Sequence, residues 1–307
     1  MDIHFVRGGP SYLPELAAYS SFVSQRGHRA LIHATHDDVP ADARVVWWIC
    51  GRVPRRAAAR FRDAFHVHEY ASASVQPAAW CKDHMKRWLH PRPHHRVFQS
   101  EWVRKRLGFN DTVAFSLRDM GVPRTFLQAQ ASGAAQFDLV YLGETSRLAT
   151  FEQALRALDA AGLKLLVVGT VDERVRDLVN GLRNAHCSGR VPQEEVPAQL
   201  LRARAGLNLV PNLLPLTQQT STKAIEYLAL GLPVVSNDYA WIRRMAAEHP
   251  GRIRTIASFD ERSWSDVTRD LPAREHDRSH LAHLTWEARL AGLPVWTEID
   301  RWAGAAR

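Results

Sequence analysis

Residues 220–238, TSTKAIEYLALGLPVVSND, place three hydroxyl side chains, an ammonium and a carboxylate on one predicted helix and its approach. Thr220, Ser221 and Thr222 are N-cap types set just before the apolar-periodic Ala224, Ile225, Leu228 and Ala229. At such a start the unbonded backbone amides and the positive end of the helix dipole point the same way, which suits an anion and above all a phosphate. Lys223 is a candidate partner for that phosphate. Glu226, the one carboxylate in the helix, can accept from two vicinal hydroxyls. Gly231 then reads as a C-cap, Pro233 forbids continuation, and Val234 and Val235 open a strand that ends in Ser236, Asn237 and Asp238. An ordinary helix–turn–strand unit of an α/β protein has the same pattern, so the helix alone does not decide between the two readings.

The rest of the chain alternates in the same way. Residues 1–6 read as a strand, Gly8-Gly9-Pro10 as a tight loop, and 13–26 as a helix punctuated by Gly27. Segments 29–33 and 45–50 are predicted buried strands, and 55–64 a basic helix entered through Pro54. The run 65–70, FHVHEY, is a further strand whose polar end leads into small residues; strand ends line ligand clefts in open α/β sheets, which makes His68 and Glu69 candidates for contact with a substrate. Residues 96–100 form a strand, with Ser100 capping a helix over 101–107 that Gly108 ends. A linker is expected around 125–136, rich in Ala, Gln, Ser and Gly. Beyond it come strands at 138–142, 164–168 and 206–210 and helices at 151–161 and 174–183, with 201–204 completing another helix. This alternation means parallel βαβ units. No G-x-G-x-x-G follows the first strand, so a dinucleotide fingerprint is absent.

On these residues the chain resembles the GT-B glycosyltransferases, in particular the retaining family 4, or group 1, type. The turn 229–235 is similar to that family's A-x-G-x-P-V-V step after a Glu-bearing helix. The resemblance implies an α/β fold of two Rossmann-like domains with parallel sheets facing a cleft. It also implies that Glu226 holds ribose hydroxyls and that amides at Thr220, Ser221 and Thr222 hold a diphosphate. Family members often carry a second Glu eight residues earlier, and 226 − 218 = 8 falls on Gln218, a neutral amide. Some relatives with a T-K-x-x-E-Y helix, as at 222–227, also lack that acid. Gly8 and Gly9 match the glycine loop that follows the first strand, and Arg118 in RDMGVP lies in a segment similar to the interdomain N-G-V turn, where it is a candidate for donor phosphate. Gly143 with Arg147, a displaced match, takes the place of the Gly and basic residue that grip the diphosphate. SGRVPQEEVP at 188–197 resembles the loop that meets the nucleotide base, which points to Val191 and Pro192. HLTWEARL at 283–290 resembles the helix that closes such chains. The implied division is 1–130 for an acceptor domain, 131–285 for a nucleotide-sugar domain, and 286–307 for a C-terminal helix returning to the first.

Composition agrees with an ordinary globular chain: 307 residues, 46% hydrophobic and 23% charged. Cys50, Cys81 and Cys187 show no paired spacing, which argues against a disulfide framework and fits a reducing cytoplasm. The longest apolar run, 45–50, is too short to span a bilayer, so the protein is expected to be soluble or peripheral to the inner face of the cytoplasmic membrane. The net charge of +8 lies wholly in the first half: 19 Lys and Arg against 11 Asp and Glu over 1–130, then 21 against 21. That asymmetry suits an anionic glycan or lipid-linked acceptor. Without a recognised motif it does not indicate nucleic acid. The function expected is sugar transfer from a nucleotide-diphosphate donor, retaining and metal-independent, with no resident cofactor and no D-x-D metal motif. A sugar-nucleotide epimerase of the same architecture, or a catalytically silent nucleotide- or glycan-binding protein, stays open.

Overall fold

The computed structural model describes residues 1–9, 13–49 and 53–305. Pro10 of the glycine loop and Cys50 at the end of the predicted third strand lie outside them. The chain divides into two compact units, 1–121 with 286–307, and 122–285.

The first unit carries β1 (Asp2–Arg7), β2 (Arg29–His33), β3 (Val45–Ile49), β4 (Phe65–Tyr70), β5 (His95–Phe98) and β6 (Ala114–Leu117), a fully parallel sheet in the order β2-β1-β3-β4-β5-β6. Its central strands are apolar almost throughout and buried on both faces, as VVWWI of β3 shows. Ile3, Phe5, Tyr19, Trp47 and Val67 share one core with Leu290, Val295, Trp296 and Ile299 of the C-terminal segment, which is why that segment belongs to this unit. A polar line fixes it further: His95 sits between Ser116 Oγ at 2.7 Å and Glu298 Oε2 at 3.0 Å. Ser116 is buried, so this Ser–His–Glu line ties helix Val295–Ala305 to β5 and β6 and presents no hydroxyl to a substrate.

The second unit carries β7 (Phe137–Leu142), β8 (Leu165–Val168), β9 (Ala185–Gly189), β10 (Ala203–Asn208), β11 (Val234–Asn237) and β12 (Ile253–Ile256), parallel in the order β12-β11-β10-β7-β8-β9. The order reverses between β7 and β10, and in the first unit between β1 and β3. Open α/β sheets bind ligands outside the carboxyl ends of strands at such reversals.

Several local expectations shift. Helix 55–64 stops at Arg60, and residues 201–204 do not extend a helix: the helix is Val196–Leu200, and β10 already begins at Ala203. The cause is tertiary, since β10 pairs with both β7 and β11. The closing helix is split at Thr285, which pairs with Val122, into a 3-10 turn Ser279–Leu284 and helix Trp286–Ala291. The segment after Gly121 is ordered rather than a plain linker: helix Arg124–Gln128 buries Phe126, and Arg278 donates to the carbonyls of Phe126 and Ala129. Helix Ala79–Leu89 has no counterpart in the sequence reading. Among the described residues no helix is long and apolar enough to cross a membrane.

Candidate functional site

The signature helix of the second unit runs over Thr222–Ala229 with Ser221 as its N-cap. Two devices hold it at the β7/β10 reversal. Tyr227 Oη accepts from Leu142 N–H at 2.8 Å and faces the Leu207 carbonyl at 3.4 Å, bridging the two strand ends. Its ring packs against Gly206, where a Cβ would stand 2.0 Å from the ring, so only glycine leaves room. At the far end Gly231 adopts φ +72, the left-handed geometry expected of its place after the helix.

Ser221 does not cap the helix with its side chain. Its hydroxyl donates instead to Asn208 Oδ1 at 2.6 Å, and Asn208 Nδ2 donates to Ser236 Oγ and Tyr239 Oη, each at 2.9 Å. Asn237 pairs with both backbone groups of Val210. This network at the ends of β10 and β11 pulls the Ser221 hydroxyl away from the first helical amides. Asn208 and Tyr239 were not among the residues expected from the sequence; a polar Asn and Ser closing two otherwise apolar strands was the available signal.

Lys223 and Glu226 are both half-buried on this helix. The Lys223 ammonium stands 3.8 Å from the centroid of the Tyr141 ring. Burial lowers it to about 7, and repulsion from Arg147 adds to that. Burial raises Glu226 to about 8, against the attraction of Lys223. Among the described residues neither the Glu226 carboxylate nor the exposed Arg147 guanidinium has a hydrogen-bond or ion-pair partner. Two cations near enough to repel one another, beside a helix start, are poised for a dianionic group. Gly143 follows β7 at φ +103 and closely faces Gly169. Thr222, Lys223, Glu226, Gly143 and Arg147 therefore gather at one place. Thr220 and half-buried Gln218 flank it, and Gln218 Oε1 accepts from Arg244 at 3.3 Å. Val191 and exposed Pro192 lie just past β9, beyond Gly189, whose carbonyl accepts from Gly169 N–H at 2.9 Å.

In the first unit Gly8 and Gly9 line a cavity of about 600 Å³ at the β1/β3 reversal, walled also by Ala71 to Val75 and by Lys82, Met85, Lys86, Leu89 and His90. His68 and Glu69 do not reach it. Each is fully buried within β4, because that strand's polar residues turn into the core rather than into the loop. Glu69 accepts from Tyr19 Oη at 3.0 Å, from Trp47 Nε1 at 2.7 Å and from Arg118. Arg118 is buried as well, 3.6 Å from Glu15 and stacked near Tyr19 and Trp286. Burial opposes its charge, but Glu69, Tyr19 and Glu15 outweigh that and hold its pKa above the ordinary arginine value. This guanidinium is thus committed inside the first unit and offers no face to a donor phosphate. His68 lies beside His90 and Tyr70, with its pKa well below the usual value through burial and then neighbouring His90. His90, which the sequence did not single out, is the histidine that faces the cavity; its Nδ1 is 2.9 Å from Tyr70 Oη.

Residues 136–271 match the family described as Glycosyl transferases group 1. Among solved structures the chain is similar to AviGT4, a glycosyltransferase involved in avilamycin A biosynthesis, at 14% identity and TM-score 0.64, with 99% of this chain and 98% of that chain covered. It is also similar to T4 phage BGT in complex with its UDP-glucose substrate, at 12% identity and TM-score 0.54, and to Anabaena Alr3699/HepE in complex with UDP and glucose, at 10% and 0.55. In both pairs 99% of this chain and 98% of the other are covered. No curated protein matches the sequence. Both units, each a six-stranded parallel sheet with flanking helices, carry the GT-B fold.

Proposed function

We propose that this chain, a glycosyltransferase with a group 1 domain on the GT-B fold, transfers a sugar from a nucleoside-diphosphate donor held by the second unit to an acceptor hydroxyl bound by the first. The observation that carries the reading is the Glu226 carboxylate, half-buried and unpartnered among the described residues, on the same helix as Lys223, whose ammonium also feels Arg147. Vicinal ribose hydroxyls supply two donors to Glu226. The diphosphate supplies the negative charge that Lys223, Arg147 and the helix amides lack. As the bond from the sugar's anomeric carbon to phosphate oxygen breaks, these cations stabilise the charge on the departing diphosphate, a role a metal ion would otherwise fill. The acceptor oxygen forms the new bond to the anomeric carbon and passes its proton to the departing diphosphate oxygen. Val191 and Pro192, just past β9, are the residues assigned to the base. Gln218, steered by Arg244, offers a neutral amide to the sugar hydroxyls. Retention of anomeric configuration, metal independence, and an anionic glycan or lipid-linked acceptor complete the reading. Lys82, Lys86 and the mostly apolar cavity wall favour such an acceptor.

A thermal-shift screen of nucleotide sugars tests the donor half. UDP-glucose is the first probe, since the T4 phage and Anabaena structures hold UDP-glucose, or UDP and glucose. At 100 times its dissociation constant the true donor stabilises the protein by roughly 2.7 kcal/mol. No shift with any nucleoside diphosphate or its sugars would remove the assignment. Product analysis with donor alone, by NMR of the anomeric proton, separates epimerisation from transfer and reports the configuration.

The two perturbed groups also predict a pH profile. Donor binding needs Glu226 ionised and Lys223 charged. Between about pH 7 and 8 the pair already holds the right number of protons, and binding only moves one from Glu226 to Lys223. Below about 7 a proton must be released from Glu226, and above about 8 one must be taken up by Lys223, so affinity falls by up to about tenfold per pH unit on each side. Calorimetric titration of UDP across pH 5.5 to 9.5 is expected to give this bell, on the order of two units wide at most. Lys223→Arg, charged throughout, should lose the alkaline limb; a flat wild-type profile would rule the coupling out.

A further inference from the structure

Helix Ala79–Leu89 is built the wrong way round for a helix on a globular surface. Its inward side is Ala79 and Asp83, the latter 1% exposed, accepting from Ser74 N–H at 2.9 Å and lying 3.8 Å from Lys86 and 3.4 Å from Arg106. Its outward side is Trp80 at 59% exposure, Met85 at 55%, Trp88 at 76% and Leu89 at 45%, with Val75 at 55% just ahead. Singly exposed apolar residues need no explanation, but two tryptophans, a methionine and a leucine on one short helix form a patch that water disfavours. The patch is edged by cations. Lys82 is exposed, Arg87 lies 3.2 Å from His84, and Arg55 donates to the carbonyls of Trp88 and Leu89 at the helix end. The one acid of the helix is turned inward and already neutralised.

We propose that this helix seats the first unit on an anionic lipid bilayer. Trp80, Trp88, Met85 and Leu89 enter the boundary between headgroups and acyl chains, and Lys82, Arg87 and Arg55 meet the anionic headgroups. Charge complementarity selects this occupant over a second copy of the chain, which would bring the same cations face to face. The geometry also gives the docking a purpose. Met85 and Leu89 belong both to the exposed patch and to the wall of the 600 Å³ cavity, so the cavity opens at the edge of the proposed membrane face, with Lys82 and Lys86 at its side. An acceptor anchored in the bilayer by an apolar chain and bearing a phosphate would enter along that edge. This last step rests on the transferase reading; the docking does not.

The full-length protein should co-sediment with vesicles of phosphatidylcholine containing an equal amount of phosphatidylglycerol, weakly with phosphatidylcholine alone, and progressively less as salt is raised. Lys82→Ala should lower the partition coefficient about fivefold, and Trp80→Ser with Trp88→Ser at least about tenfold. The double tryptophan variant removes exposed groups outside the cavity wall and should keep wild-type UDP-sugar binding in solution. Equal sedimentation with the two vesicle types, or a double tryptophan variant that binds as wild type, would overturn the proposal. So would a concentration-dependent dimer in analytical ultracentrifugation that the double variant abolishes, since the face would then belong to a second copy. Failure of the wild type to bind any nucleotide sugar, with vesicle binding intact, would sink the donor site alone.

Discussion

Glu226→Ala is expected to lower kcat/KM for the nucleotide-sugar donor by roughly 100-fold or more while leaving the fold intact. Two hydrogen bonds from ribose hydroxyls to a carboxylate are worth about 1.5 to 3 kcal/mol each, and even one of them, lost at about 3 kcal/mol, is roughly 150-fold. The loss should be mainly in KM, because the ribose is remote from the bond that breaks and its contact is the same before and during transfer. Stability should move the other way. Burial lifts Glu226 to about 8 in the folded protein, above its ordinary 4.5, so the folded state holds this proton more tightly than the unfolded chain does. The wild type therefore loses stability from this group as pH rises from 4.5 to 8, and the alanine variant does not. Melting at pH 8.5 should show the variant at least as stable as the wild type. Kinetics unchanged by the substitution would take Glu226 out of the site, whatever the fold.

Arg118→Met should be the most destabilising single change in the first unit. The guanidinium answers both Glu69 and Glu15 in a region where none of the three is open to water. Removing one partner of a buried ion pair leaves uncompensated charge and costs about 3 to 5 kcal/mol, and here two carboxylates are left behind. In scanning calorimetry the transition of this unit should fall by roughly 10 to 20 °C. Arg118→Met combined with Glu69→Gln should recover part of the loss, since one of the two orphaned charges is then gone and only Glu15 is left. The experiment also separates two roles for this residue. A phosphate ligand at the surface would lose activity on substitution and keep its melting temperature; a buried hub loses its melting temperature first.

The strand ends explain why one of these residues was legible and the other was not. Helix Thr222–Ala229 announces itself through short-range chemistry: cap-type residues before an apolar period, a glycine after it, and a proline that ends it. Such signals act within a turn or two, so the positions of Lys223 and Glu226 on one helix follow from spacing alone. Arg118 and Glu69 stand 49 residues apart in sequence. Nothing local in RDMGVP or FHVHEY reports that the two side chains meet in the core, because that depends on β4 and the end of β6 lying in one sheet. FHVHEY reads as a strand whose polar end leads out into a loop, yet both faces are covered and all of its residues are buried. Helix Ala79–Leu89 escaped for a related reason. Its apolar residues do not mark the side that packs, and a period read as core-facing finds nothing to face.

From the order of residues alone came the α/β alternation, the capped helix, its phosphate-suited start and the group 1 resemblance, all products of interactions between near neighbours on the chain. The fold settled which of the candidate side chains share a place. It drew Arg147, Lys223 and Glu226 together at the β7/β10 reversal, sealed His68, Glu69 and Arg118 inside the first unit, and set His90 in the cavity wall. Those outcomes turn on strand order and on which face of each strand is covered, and both arise from contacts between segments far apart in the chain, where burial decides whether a charged group serves a ligand or the core.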